Sequence, residues 1–317
     1  MDKQENLRGL IEGAILGAIW LVMLIASIYT PLFLIGFIIL PIPFTIIAYR
    51  RGIRIALISA FVAVILSILF NLLVIGFSLV IYSILLGITS GYCFQQKKQA
   101  NVTFTSMVLA VLGSNLLTIL IIGFLTDYNI FADLSNTIQE AFVDSESLLG
   151  AIGLGATITE ADIEAILEVI RLLLPTILIA VSVLIAYVYY HTARYTIRRL
   201  GEQETLPTLP SIAEIQLPKK ILWYYIFATI GMIYLTLTGS MDNFMYTLLL
   251  NIVQILSLVL AVQGIGLVWY YMNKKNWSKV IKYPIVIILL HPILLQIMTW
   301  VGMFDIFFNW RKLPKQR

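Results

Sequence analysis

The chain has 317 residues, of which 60% are apolar and only 12% charged, with a formal net charge of +4. Soluble domains average roughly 45–50% apolar and about 25% charged side chains, and a water-soluble fold of this size has no way to hide so much hydrocarbon. With a mean hydropathy of +0.94, these values exclude a soluble enzyme or nucleic-acid-binding domain and point to an all-α, polytopic transmembrane helix bundle. Cys93 is the single cysteine, and His191 and His291 are the two histidines, so no internal disulfide and no ordinary zinc ligand set is expected.

The apolar runs come in chain order. The first, Gly9 to Tyr29, follows a short charged head with Arg8 and is read as a retained helix, being too long for a cleaved signal core. The second, Pro31 to Tyr49, is interrupted by Pro41-Ile42-Pro43. Such a break is tolerated in a bilayer where neighbours satisfy the freed backbone groups. The third and fourth run from Ile53 to Phe70 and from Leu72 to Phe94, and the fifth, Val102 to Thr126, carries Asn115. An acidic stretch over 127–168 follows, with nine carboxylates and no Lys or Arg. The sixth run is Leu172 to Tyr190, the seventh Ile221 to Thr238 and the eighth Thr247 to Tyr271. A ninth apolar segment, Tyr283 to Trp300, contains His291-Pro292 and precedes a basic tail. Eight spans at about 20 residues each use roughly 160 residues, which the chain supplies.

Charge sorts the connections. Arg50, Arg51 and Arg54, then Lys97 and Lys98, then Arg194, Arg198, Arg199, Lys219 and Lys220, then Lys274, Lys275, Lys279 and Lys282 all fall in alternate loops. The intervening connections carry no Lys or Arg. The positive-inside tendency therefore places the N-terminus and the basic loops in the cytoplasm of a cell-membrane protein. A ninth full crossing would put Arg311, Lys312, Lys315 and Arg317 outside, whereas a re-entrant hairpin would keep them inside on only about 28 residues; length favours the crossing. The expected organisation is a six-helix bundle over 1–199 with the acidic extracytoplasmic segment at 127–168, a cytoplasmic linker at 200–220, and C-terminal membrane helices over 221–317.

Several groups stand out inside the spans. Gly9, Gly13 and Gly17, with Ala14 and Ala18 beside them, form a small-residue stripe where another helix can approach closely, either a partner subunit or a helix of the same chain. Glu12 is expected to pair with Arg8, one turn earlier, or to couple an ion. Asn115, Asn251, Gln254 and Gln263 are amides at membrane depth, able to bond across helices or line a wet cavity. Asn115, Arg171, Gln263 and Gly264 are the candidate solute-binding residues, the glycine clearing space beside the amide. Arg171 has as its alternative an ion pair with Glu164 or Glu168. Thr159-Glu160-Ala161-Asp162 fits a capping box that starts an amphipathic helix running into span six. Tyr187, Tyr189, Tyr190, Trp223, Tyr224, Tyr225, Trp269, Tyr270 and Tyr271 read as interfacial anchors. No GxxxxGK[ST], HExxH or GxSxG pattern is present, so no catalytic residue, metal site or cofactor is expected, and topology accounts for the basic loops without nucleic acid.

Three segments carry a family resemblance: Arg8-Gly9-Leu10-Ile11-Glu12-Gly13, the Pro-x-Pro stretch leading to Tyr49-Arg50-Arg51-Gly52, and Gly302-Met303-Phe304-Asp305 with Asn309-Trp310-Arg311-Lys312. On these the chain resembles the YybS-like family of uncharacterised multi-pass bacterial membrane proteins, which implies no established activity. Gly13-Ala14 and Gly17-Ala18, with the proline-broken second helix and its basic turn, are also similar to the S components of energy-coupling-factor transporters. That resemblance implies a bundle that binds or helps move a small solute without its own ATPase, energised by a docked membrane coupling subunit or by an ion gradient. Two extra spans and the acidic segment depart from that pattern. The other reading is a non-transporting membrane scaffold or regulator of a cell-envelope process.

Overall fold

The computed structural model describes residues 3–30, 33–70, 73–125, 132, 134–141, 160–201, 206–239 and 243–311. Among these no strand occurs. The principal helices are α1 (Lys3–Tyr29), α2 (Phe33–Ile39), α3 (Ile42–Leu69), α4 (Leu73–Gln95), α5 (Ala100–Leu125), α6 (Glu160–Arg199), α7 (Lys220–Leu237), α8 (Phe244–Lys274), α9 (Lys279–Leu289) and α10 (Pro292–Phe308). Among the described residues, seven helical stretches are long and apolar enough to cross a bilayer, or eight if the bent pair α9–α10 forms one span. The capping-box Thr159, most of the acidic stretch and the tail residues Lys312, Lys315 and Arg317 lie outside the described residues. At 40 residues α6 measures about 60 Å, twice the hydrocarbon thickness of roughly 30 Å. Its leading turns bury Ile163 and Leu167 and leave Ile166 exposed.

The chain divides into two compact units. Unit one comprises residues 1–129 and 181–209, and unit two comprises 130–180 and 210–317. The division falls inside α6 and again inside the proline-rich linker.

Unit one has two adjoining cores. In the first, α1 lays Trp20 and Leu24 against Leu40, Phe44 and Ile47, with the Trp20 and Phe44 ring centroids 5.3 Å apart. In the second, α4 and α5 meet the distal half of α6 through Leu86, Phe94, Met107, Val111, Tyr189 and Tyr190. The sequence run treated as spans two and three is hydropathically continuous over Ile35–Leu69, and Gly52 divides it. At φ 81°, ψ 173° that residue occupies a region which only glycine enters without steric conflict. Contacts with α1 reverse there. Before Gly52, Arg50 and Arg51 bond Glu12; after it, Ile55 lies against Gly9 and Gly13, and Ser59 against Gly13.

Unit two is built on α8. Asn251 on this helix spans the α6 turn that contains Pro175. Its Nδ2 donates to the Leu172 carbonyl (2.8 Å), and its Oδ1 accepts from the Thr176 amide (3.1 Å) and hydroxyl (2.7 Å). These are the acceptor and donor of one i→i−4 helical step, held by a side chain from another helix next to a proline. The C-terminal apolar run is not one straight helix. It bends by 100° between α9 and α10, because Pro292 cannot donate a backbone N–H. On α9, Lys282 bonds Asn273, Tyr283 packs on Trp269, and Val286 and Leu289 reach the cluster of Ala261 and Ile265. That order runs backward along α8. On α10, Thr299 donates to the Ser257 carbonyl, Gly302 lies on the Leu260 carbonyl, and Asp305 meets Gln263; that order runs forward along α8. The two helices thus form a hairpin that returns toward its own starting level.

Candidate functional site

In unit one the buried polar groups gather where α3, α4 and α6 meet. Gly87 and Gly91 of α4 make this possible: a Cβ at either would run into the Pro41 or Thr45 carbonyl, so α4 approaches the α3 backbone itself. The approach brings Ser90 Oγ to 2.8 Å from Thr45 Oγ1, and Tyr189 Oη lies 2.5 Å from the same Thr45 hydroxyl. Thr45 also donates to the Pro41 carbonyl, and Ser90 to that of Gly87. One turn or two along α4, Ser83 Oγ accepts from Trp20 Nε1 at 3.0 Å. Next to Ser83, Tyr82 is 3% exposed, its ring stacked on Phe37 with centroids 4.3 Å apart. Among the described residues the Tyr82 hydroxyl has no hydrogen-bond partner. An unsatisfied buried hydroxyl costs about 1–3 kcal/mol, and each such group in a folded chain calls for an explanation. Together these residues make a buried seam of hydroxyls and rings between α3, α4 and α6.

A second polar cluster lies in unit two. Asp305 and Arg311 are 2% and 3% exposed. Arg311 Nη2 and Nε donate to Asp305 Oδ2 at 2.6 and 3.0 Å, and Gln263 Nε2 donates to the same oxygen at 2.5 Å. Arg311 Nη1 donates to the Ala213 carbonyl (2.8 Å), and Gln263 Oε1 accepts the Leu217 amide (3.2 Å). The cluster fastens the end of α10 and the 212–217 segment to α8, a structural use of an ion pair and an amide.

The candidate residues from the sequence do not assemble into one place. Asn115 is half-buried on α5 in unit one. Arg171 is exposed at the start of the membrane part of α6 in unit two. Gln263 lies 12 residues along α8 from the Asn251 that binds this end of α6, about 18 Å away. Gly264 does not open a pocket beside Gln263: its Cβ position is taken by the Met298 carbonyl, and Gly266 is covered by that of Ile212. Of the α1 stripe, Gly9 and Gly13 face α3 of the same chain, no heavy atom lies within 4 Å of a Cβ built at Gly17, and Ala14 and Ala18 are exposed. Glu12 takes Arg50 and Arg51 as its partners rather than Arg8. Tyr189 and Tyr190 are not interfacial anchors but buried bonding residues, Tyr190 Oη donating to the Pro207 carbonyl at 2.6 Å. The hydroxyl seam itself escaped the sequence reading. Its one legible sign was Gly87-x-x-x-Gly91 with Ser90 between them, a close-approach spacing carrying a polar group.

The family comparison covers most of this architecture. A family described as "Predicted membrane protein (DUF2232)" matches residues 18–306. The chain belongs to that family. Along its whole length the chain is similar to the protein described as "Uncharacterized protein YybS" of Bacillus subtilis (strain 168), 23% identical over 98% of this chain and 100% of the relative. No solved structure matches the chain. All three motifs that carried the resemblance have defined work in the fold of this DUF2232 member. Gly302, Asp305 and Arg311 build the α8–α10 crossing and its ion pair, while Glu12, Arg50 and Arg51 tie α1 to α3.

Proposed function

We propose that this integral membrane protein binds, or helps move, a small solute within unit one, and that it depends on a partner rather than on an ATPase or catalytic site of its own. The observation that carries this reading is the Tyr82 hydroxyl, buried without a partner beside the Thr45–Ser90–Tyr189 seam. In a bilayer such a group is expensive, and a solute offering a hydrogen-bond acceptor would satisfy it. The grouping of α1–α5 with the distal half of α6 in one unit agrees with the resemblance to S components, and exposed Ala14 and Ala18 offer a face for a coupling subunit. Dividing the 35–69 run at Gly52 gives eight full spans, with α9–α10 as a hairpin entering and leaving on the basic side. In this topology the N-terminus is cytoplasmic, and Arg311 stays with the other basic residues.

Thermal unfolding in detergent across a metabolite panel tests the reading. A ligand of the folded state raises apparent stability by mass action. At least one compound should do so in the parent and lose its effect in Tyr82→Phe. A panel without any stabilising compound, or one whose effect survives that substitution, would favour the scaffold or regulator reading instead.

A further inference from the structure

At the arginine end of unit one, α1, α3 and the end of α6 enclose an open cavity of about 400 Å³. Its polar rim consists of Arg8, Glu12, Arg50 and Arg51, and its walls include Ile11, Ile15 and Ile46. The charges on the rim do not balance. Glu12 is shared between Arg50 Nη1 at 3.2 Å and Arg51 Nε at 2.6 Å, and Arg50 Nη2 reaches the Leu200 carbonyl at 3.4 Å. No described residue pairs with Arg8, which is exposed. Both paired arginines keep about a third of their side-chain surface open, at 33% and 34%. The α1 wall follows from helical periodicity. Arg8, Ile11, Glu12 and Ile15 stand at i, i+3, i+4 and i+7, so a cationic end passes directly into an apolar stripe. Ile11 and Ile15 are exposed there.

We infer that this cavity seats an anionic phospholipid, with the phosphate held between Arg8 and Arg50 and an acyl chain lying along Ile11, Ile15 and Ile46. A freely soluble anion would find donors at the rim and only hydrocarbon beyond it. A zwitterionic lipid would bring a cation to an already cationic rim. Basic pockets between membrane helices take acidic head groups by this combination of point charges and apolar walls. The site is separate from the Tyr82 seam and does not rest on the solute-binding reading.

The test is native mass spectrometry and thermal unfolding of the purified full chain in three backgrounds: phosphatidylcholine nanodiscs, the same with added phosphatidylglycerol, and phosphatidylcholine with added inorganic phosphate. Phosphatidylglycerol should remain bound after detergent exchange and raise the unfolding midpoint, whereas inorganic phosphate should leave it where it was. Arg8→Gln should lower the preference for phosphatidylglycerol over phosphatidylcholine by about fivefold. Arg54→Gln, an exposed arginine outside the lining, should leave that preference intact. Ile11→Trp keeps every charge but fills the wall, and should reduce retained phosphatidylglycerol as well. Equal losses for Arg8→Gln and Arg54→Gln would reduce the effect to general surface charge. Stabilisation by inorganic phosphate, full retention in Ile11→Trp, or no preference in the parent would each overturn the assignment.

Discussion

The sharpest energetic consequence of the structure concerns Arg311→Met. Both members of the Asp305–Arg311 pair are buried, and Arg311 places two nitrogens on a single carboxylate oxygen at 2.6 and 3.0 Å. Methionine matches the length of the apolar stem but leaves Asp305 charged, buried and supported by Gln263 alone. Removing one partner of a buried pair costs about 3–5 kcal/mol, because the remaining charge is uncompensated. Asp305→Asn in the same chain removes that charge while keeping an oxygen for Gln263, so the double variant should recover most of the loss and unfold within about 1 kcal/mol of the parent, since exchanging an entire buried pair for neutral groups is often close to neutral. The readout is the midpoint of unfolding in detergent, compared across parent, both single variants and the double variant as a thermodynamic cycle. A double variant no more stable than Arg311→Met would refute the argument: the loss would then lie in the Ala213 carbonyl contact or in packing rather than in an orphaned charge.

Further expectations follow from particular contacts. Tyr82→Phe keeps the ring on Phe37 and removes an unsatisfied hydroxyl, so in ligand-free detergent it should stabilise by about 1–3 kcal/mol; destabilisation on the same thermal scale would mean that the hydroxyl has a bonding partner. Gly302→Leu puts a side chain where the Leu260 carbonyl lies and should cost at least the 1–3 kcal/mol typical of overpacking, while Gly17→Ala, with open space at its Cβ position among the described residues, should fold as the parent does. A Gly17→Leu variant that folds yet loses a co-purifying membrane protein would support docking on α1; one that retains it would remove the stripe from consideration. Asn251→Leu should leave the Leu172 carbonyl and the Thr176 amide without their cross-helix partner and cost about 1–3 kcal/mol, a value that amide exchange near Pro175 would localise. Cysteines placed at Lys98, Lys275 and Trp310 in a Cys93→Ser background should all be labelled from one side of the membrane, and one at Gly239 from the other. Labelling of Trp310→Cys together with Gly239→Cys would make the C-terminal hairpin a full crossing.

The membrane character of this protein was legible from composition, because lipid selects side chains by transfer free energy, which adds up residue by residue along a chain. The same local logic located the proline break before α3 and the long helix beginning near Glu160. Tertiary structure alone decided the partnerships. Glu12 had Arg8 within one helical turn, yet the reversal at Gly52 brought Arg50 and Arg51 to it from another helix. Gly264 looked like cleared space until α10 folded back along α8 and filled it with backbone. Tyr189 and Tyr190 looked like interfacial residues because their place near a run of basic residues is a one-dimensional fact. Their burial depends on what α3, α4 and the linker bring against them. Insertion into lipid is summed along one helix at a time, whereas the hydroxyl seam and the Asp305–Arg311 pair exist only after segments distant in the chain have met.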